Sequence, residues 1–133
     1  MRPKILAVDD SKTVRILVRK ALAPFACDVD EASNGFNGLF AMEKAQPDLL
    51  LLDVSMPIMD GLEMLTLLKS HPQLKKIPVI MLASPSDHQV IPKITALGVS
   101  DRIMKPFAPD DLVAAIRRIL DLKPLQAGAN SPD

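Results

Sequence analysis

Residues 48–61 read DLLLLDVSMPIMDG. Leu49 to Leu52 form an unbroken apolar run, which suits a strand buried on both faces of a parallel sheet better than a strand with one solvated side. The run ends in a charge, Asp53. Pro57 and Asp60-Gly61 are turn signals, so Asp53 stands where a strand leaves the sheet and a loop begins. In open α/β sheets, ligands bind at that edge. A lone carboxylate there is equally an ordinary loop residue, and the rest of the chain has to decide between the two readings.

On the N-terminal side, residues 4–8 (KILAV) form a second short apolar run closed by Asp9 and Asp10. Ser11 is a suitable N-cap, and Val14, Leu17, Val18, Ala21, Leu22 and Phe25 repeat at helical spacing, predicting a surface helix that ends near Pro24. Residues 27–32 read as a weaker strand. Asn34-Gly35 opens a helix through Ala45, which Pro47 stops. On the C-terminal side a helix is predicted over 61–70, followed by the polar connector HPQLKK and a strand over 78–83 (PVIMLA). Ser86 and Asp87 open a helix toward Gly98. Pro92 falls inside it, so this helix is expected to be short, kinked or restarted. Residues 100–104 form a last strand. Lys105-Pro106-Phe107 leads into a helix with Pro109 near its first position and Leu112, Val113, Ile116, Ile119 and Leu120 as its apolar residues. From residue 123 onward the composition turns to Pro, Gly, Asn, Ser and Ala without periodicity, which predicts a disordered tail over 123–133 behind a single domain over 1–122.

Strands alternating with helices imply a parallel sheet covered on both faces. The composition fits one such domain: 133 residues bury roughly two thirds of their unfolded surface without covalent staples. The single cysteine, Cys27, has no partner within the chain and reads as a packed strand residue. Sixteen Lys plus Arg against sixteen Asp plus Glu leave no net field toward nucleic acid or a membrane surface. Aromatics at 3 %, with neither Trp nor Tyr, make a base-stacking surface an unexpected feature. The N-terminus is too short in apolar residues for a signal or a membrane span of about 20 residues, so a cytoplasmic protein is expected.

In a parallel sheet the carboxyl ends of all strands open on one edge, which brings together Asp9, Asp10, Asp53 and the residues after Ala83 and Met104. Carboxylates within a few ångström repel by roughly 1 kcal/mol per pair even at water's dielectric, so such a cluster calls for a cation. Asp9-Asp10 alone reads equally as a solvated pair with one member capping the first helix. The third carboxylate from a separate strand, and Lys105 at the end of another, turn the reading toward a site. All-oxygen ligands with room for water suit Mg2+. Asp53 can then be an acyl-phosphate nucleophile, with the cation and Lys105 offsetting charge on the transferred phosphoryl.

Asp9-Asp10 after the first strand, Asp53 followed by Met56-Pro57 and Asp60-Gly61, and Lys105-Pro106-Phe107 together resemble the receiver domain of two-component response regulators, in particular the stand-alone, chemotaxis-regulator-like kind. The resemblance covers residues 4–122. It implies a flavodoxin-like, doubly wound parallel sheet of five strands in the order 2-1-3-4-5 with five helices. It implies that Asp53 accepts a phosphoryl group from a histidine kinase or a histidine phosphotransfer protein. By matching position, Asp10, Asp53 and the backbone carbonyl of Ser55 would hold Mg2+, Asp9 would act mainly through water on the metal, and Lys105 would pair with the phosphoryl.

The sequence departs from the family at two positions. Where the family has Ser or Thr at the end of strand four, this chain has Ala83, and a hydroxyl follows one residue later at Ser84. A continuing strand would turn Ser84 the opposite way, whereas a strand ending at Ala83 leaves the loop free to deliver it to the phosphoryl. Where the family has an aromatic that turns inward on activation, this chain has Arg102, which is poorly suited to an apolar pocket. These changes bear on signalling more than on chemistry, and predict a receiver that switches weakly or by a route other than the hydroxyl–aromatic pair. The other reading is a pseudo-receiver, a constitutive protein-binding module without phosphoryl chemistry. An aspartate-nucleophile phosphohydrolase would want a second Asp at position 55, where Ser55 stands, so no enzyme is expected. No domain follows Leu122 in the sequence as given, so output is expected through an unidentified downstream protein, with the chain a monomer or weak dimer. Phe36 and Phe40, one helical turn apart, offer an apolar contact to a partner unless one packs inward, and inward packing of at least one is the favoured expectation. His71 and His88 read as surface residues, and the seven methionines as core filler.

Overall fold

The computed structural model describes residues 2–125. Its centre is β3 (Leu49–Asp53), in which every residue is buried. Side chains alternate across a strand, so Leu50 and Leu52 enter one core with Leu6, Val8, Met81 and Ala83. Leu49 and Leu51 enter a second core with Ile5, Ala7, Ile80 and Leu82. Each such leucine contributes about 1.5–3 kcal/mol by leaving water.

The flanking strands are β1 (Lys4–Val8), β2 (Asp28–Ala32), β4 (Val79–Ala83) and β5 (Asp101–Met104). They form one five-stranded sheet, all parallel, in the order β2-β1-β3-β4-β5. Helices α2 (Gly35–Lys44), α3 (Gly61–Ser70) and α4 (Ile91–Leu97) cover the first core through Met42, Met64, Leu65, Leu68 and Ile94. Helices α1 (Lys12–Leu22) and α5 (Pro109–Arg117) cover the second through Val18, Ala21, Leu22, Leu112 and Ile116. No helix among the described residues is long and apolar enough to cross a membrane.

Local chemistry sets the boundaries. Ser11 Oγ accepts the Val14 N–H, and Asn34 Oδ1 accepts that of Asn37, capping α1 and α2. Asp60 and Glu63 form a reciprocal capping box at α3. The helix expected from Ser86 is restarted. A 3-10 turn covers Pro85–Asp87, and α4 begins at Ile91 with Pro92 in its first turn, where a missing N–H costs nothing. Gly98 ends α4 at φ +95°, a conformation costly for other residues.

Three expectations need correction. Residues 123–125, placed in the predicted tail, are held against the domain. Ala26 N–H donates to the Lys123 carbonyl, Leu125 N–H donates to that of Pro24, and Phe25 bridges Pro124. Leu122, buried beneath, anchors this return. The remainder of that prediction, 126–133, lies outside the described residues. Phe36 and Phe40 are 58 % and 65 % exposed, so neither packs inward, because Gly35, Gly38 and Met42 take the buried face of α2. Of the methionines, Met104 is exposed, while Met42, Met64 and Met81 fill the core. Cys27 is buried immediately before β2, and burial pushes its thiol up from the ordinary cysteine range.

Candidate functional site

At the carboxyl edge of the sheet, Asp9 follows β1 and is wholly buried, while Asp53 ends β3 at 3 % exposure. Asp10 faces solvent. Lys105, just past β5, places its Nζ 2.9 Å from Asp53 Oδ1 and 2.7 Å from Asp9 Oδ2. Asp9 Oδ1 accepts the Ser11 N–H at 2.8 Å. Its Oδ2 is out of water and has the Lys105 ammonium as its partner.

These contacts set the electrostatics. Burial pushes the Asp53 carboxyl up to about 7, the Lys105 ammonium opposes the rise, and repulsion from Asp9 adds to it. Burial works against the charge on Lys105, but the adjacent Asp9 and Asp53 carboxylates outweigh it and raise its pKa. Oxygens of Asp9, Asp10 and Asp53 lie within 4.8 Å of one another. Three carboxylates gathered around one ammonium, two of them nearly out of water, make an all-oxygen donor set that fits a hard divalent cation.

The loop after Asp53 is folded tightly onto it. Gly61 N–H donates to the Val54 carbonyl, and a Cβ at Gly61 would stand 2.1 Å from the Asp53 carbonyl oxygen. Only glycine fits there, so the Asp60-Gly61 pair is both a helix cap and a close approach. Met59 in turn accepts the Gly35 N–H through its carbonyl, tying the loop to α2.

The β4 side of the edge differs. Ala83 is fully buried in the core beneath α2–α4 and presents no polar side-chain atom. The strand ends there. Ser84 lies on the opposite side, lining a cavity of about 460 Å³ with Thr13, Leu17, Lys105 and Phe107. Arg102 is exposed on the edge strand β5. His71 accepts the Gln73 and Leu74 N–H groups through Nδ1, a local turn contact.

One residue was underread in the sequence. Asp87 is 6 % exposed and, beyond opening a helix, accepts the Ser55 hydroxyl and the Ser84 N–H. The spacing Ser84-x-x-Asp87 is a capping pattern that pointed to the second of these contacts. The first joins residues 32 apart and has no local signature.

Comparison with known proteins agrees with this geometry. The response regulator receiver domain family matches residues 5–117. The chain is 33 % identical to protein PilG of Pseudomonas aeruginosa over 114 residues, covering 86 % of this chain and 84 % of that one. It is 34 % identical to sporulation initiation phosphotransferase F of Bacillus subtilis, covering 92 % and 98 %. It also matches the phosphate regulon transcriptional regulatory protein of Rhizobium meliloti at 30 % identity, spanning 53 % of that protein's length. A chemotaxis response regulator of Vibrio cholerae superposes with a TM-score of 0.83 at 32 % identity, covering 90 % of this chain and 100 % of that one. The chain belongs to the response regulator receiver family of two-component phosphorelay signalling.

Proposed function

We propose that this receiver accepts a phosphoryl group on Asp53 from a histidine kinase or a histidine phosphotransfer protein and signals through protein contacts. The observation that carries the reading is the buried Asp53 carboxylate held 2.9 Å from Lys105 Nζ inside a cluster of three carboxylates. A carboxylate oxygen of Asp53 attacks phosphorus in line with the leaving imidazole nitrogen. The P–N bond breaks, its electron pair returns to the imidazole, and the acyl phosphate remains on Asp53. Lys105 stands ready to meet charge on the phosphoryl oxygens. Asp10, Asp53 and the Ser55 carbonyl are the groups to hold Mg2+, with Asp9 behind them. When bound, Mg2+ neutralises charge on the transferring phosphoryl as a Lewis acid.

The signalling module is proposed to act in the cytoplasm as a monomer or weak dimer, without contact to nucleic acid or membrane. Its relay does not run through a hydroxyl at position 83 or an aromatic at 102, because Ala83 and Arg102 stand there. Those same residues favour the second reading, a pseudo-receiver that binds a partner constitutively.

Acetyl phosphate with Mg2+, followed by intact mass of the wild type and Asp53→Ala, separates the two. A phosphoryl adduct that requires both Mg2+ and Asp53 is the expected result. No adduct together with no Mg2+ binding would leave the constitutive module standing.

A further inference from the structure

The edge that carries Asp53 holds another buried carboxylate that the proposed chemistry leaves unused. Asp87 Oδ1 accepts the Ser55 hydroxyl at 2.8 Å, and its Oδ2 accepts the Ser84 N–H at 2.7 Å. Both donors come from residues just past the ends of β3 and β4. Ser55 follows Asp53 by two residues. Ser84 follows Ala83, whose carbonyl accepts the Lys105 N–H while its neighbour Leu82 pairs with Asp53. Asp87 thus gathers polar donors on an edge where Ala83 supplies none. On its other side, the Asp87 carbonyl accepts the Val90 N–H immediately before α4.

We propose that Asp87 is a positioning residue: it holds the Ser55 hydroxyl and the Ser84 N–H while Asp53 is free and yields them when Asp53 is phosphorylated, loosening residues 85–97. The inference rests on Asp53 being the phosphoacceptor. A phosphoryl group brings about −1.5 to −2 charges and three strong acceptor oxygens, and competes for the same donors. A buried carboxylate that loses its donors becomes costly to keep out of water. Asp87 then moves outward and carries the 3-10 turn with it. This route needs neither a hydroxyl at position 83 nor an aromatic at 102.

The test uses the full chain with Asp87→Ala and Asp87→Asn. The asparagine keeps a carbonyl acceptor for Ser84 and decides the matter if the alanine variant does not fold. In the wild type, Mg2+ with beryllofluoride, a phosphoryl mimic, is expected to speed amide exchange of residues 84–97 by about 10- to 100-fold, the worth of one hydrogen bond to a charged group. Asp87→Ala exchanges that fast before the mimic is added and responds little to it. Its uptake of phosphoryl from acetyl phosphate quickens by about three- to tenfold, since no donor has to be taken from a carboxylate. Asp87→Asn falls between the two.

A lower melting temperature with wild-type uptake and a wild-type exchange response would reduce Asp87 to a structural cap and overturn the proposal. Wild type that takes up phosphoryl yet keeps 84–97 protected would overturn it as well. Wild type that takes up neither phosphoryl nor beryllofluoride would bring down the phosphoacceptor reading, and this inference with it.

Discussion

Two halves of one sheet edge follow different rules. Around β1, β3 and Lys105, charged groups are buried against one another, with Asp9 and Asp53 almost wholly out of water and the ammonium between them. Around the ends of β4 and β5, Ala83 is apolar, Arg102 faces solvent, and Ser84 is tied to Asp87 by its backbone. Capturing a phosphoryl group needs specific desolvated charges, which few side chains supply. Relaying its presence needs only a difference of a few kcal/mol between two arrangements, and many side chains can supply that. The capture half is therefore the more exacting of the two, and the relay half tolerates Ala83 and Arg102.

Replacing Lys105 tests the capture half hardest. Lys105→Met removes the cation beside both carboxylates, and phosphoryl uptake from acetyl phosphate is expected to fall by about 10²- to 10³-fold, the usual cost of one preorganised charge stabiliser. Uptake within a few-fold of wild type would mean that the 2.9 Å contact to Asp53 plays no part in the chemistry. Gly61→Ala comes next. Its Cβ has to displace the Asp53 carbonyl, and urea unfolding should show a loss of about 1–3 kcal/mol, with uptake reduced in the same variant.

The raised Asp53 pKa predicts a pH signature. The folded chain keeps this proton up to about 7, against 3.8 ordinarily, so between those values it holds more protons than the unfolded chain. Stability of the metal-free protein therefore declines through this group as pH rises from 3.8 toward 7. Asp53→Asn should flatten that slope in melting curves. Mg2+ needs the ionised carboxylate, so its apparent affinity should rise between about pH 6 and about pH 8. The smallest effect belongs to the relay half. Arg102→Ala should change stability by no more than about 0.5 kcal/mol and leave phosphoryl uptake unchanged, because its side chain is exposed.

Much of this was legible from residue order. The run Leu49 to Leu52 announced a doubly buried strand, and Ser11, Asn34 and Pro109 marked helix starts that are found within a residue or so, whereas the helix read from Ser86 begins only at Ile91. Strand ends that share an edge made Asp9, Asp53 and Lys105 neighbours before any distance was known. The rest depends on packing between distant segments. Phe36 and Phe40 look like core residues by type, but the two glycines and Met42 occupy the inward face of α2. The return of Lys123 to Leu125 along Pro24 to Ala26 is made by backbone groups, which carry no sequence signature. Asp87 has a local cap pattern, but its contact with Ser55 crosses between two loops.

The separation of capture from relay is tested most directly by backbone amide NMR of the wild type with Mg2+, before and after beryllofluoride. The account predicts large shifts at residues 53–59 and 84–97, with the amides of Arg102 and Ile103 nearly unmoved. Concerted shifts running through Arg102 into α5, or no shift beyond the immediate neighbours of Asp53, would contradict it.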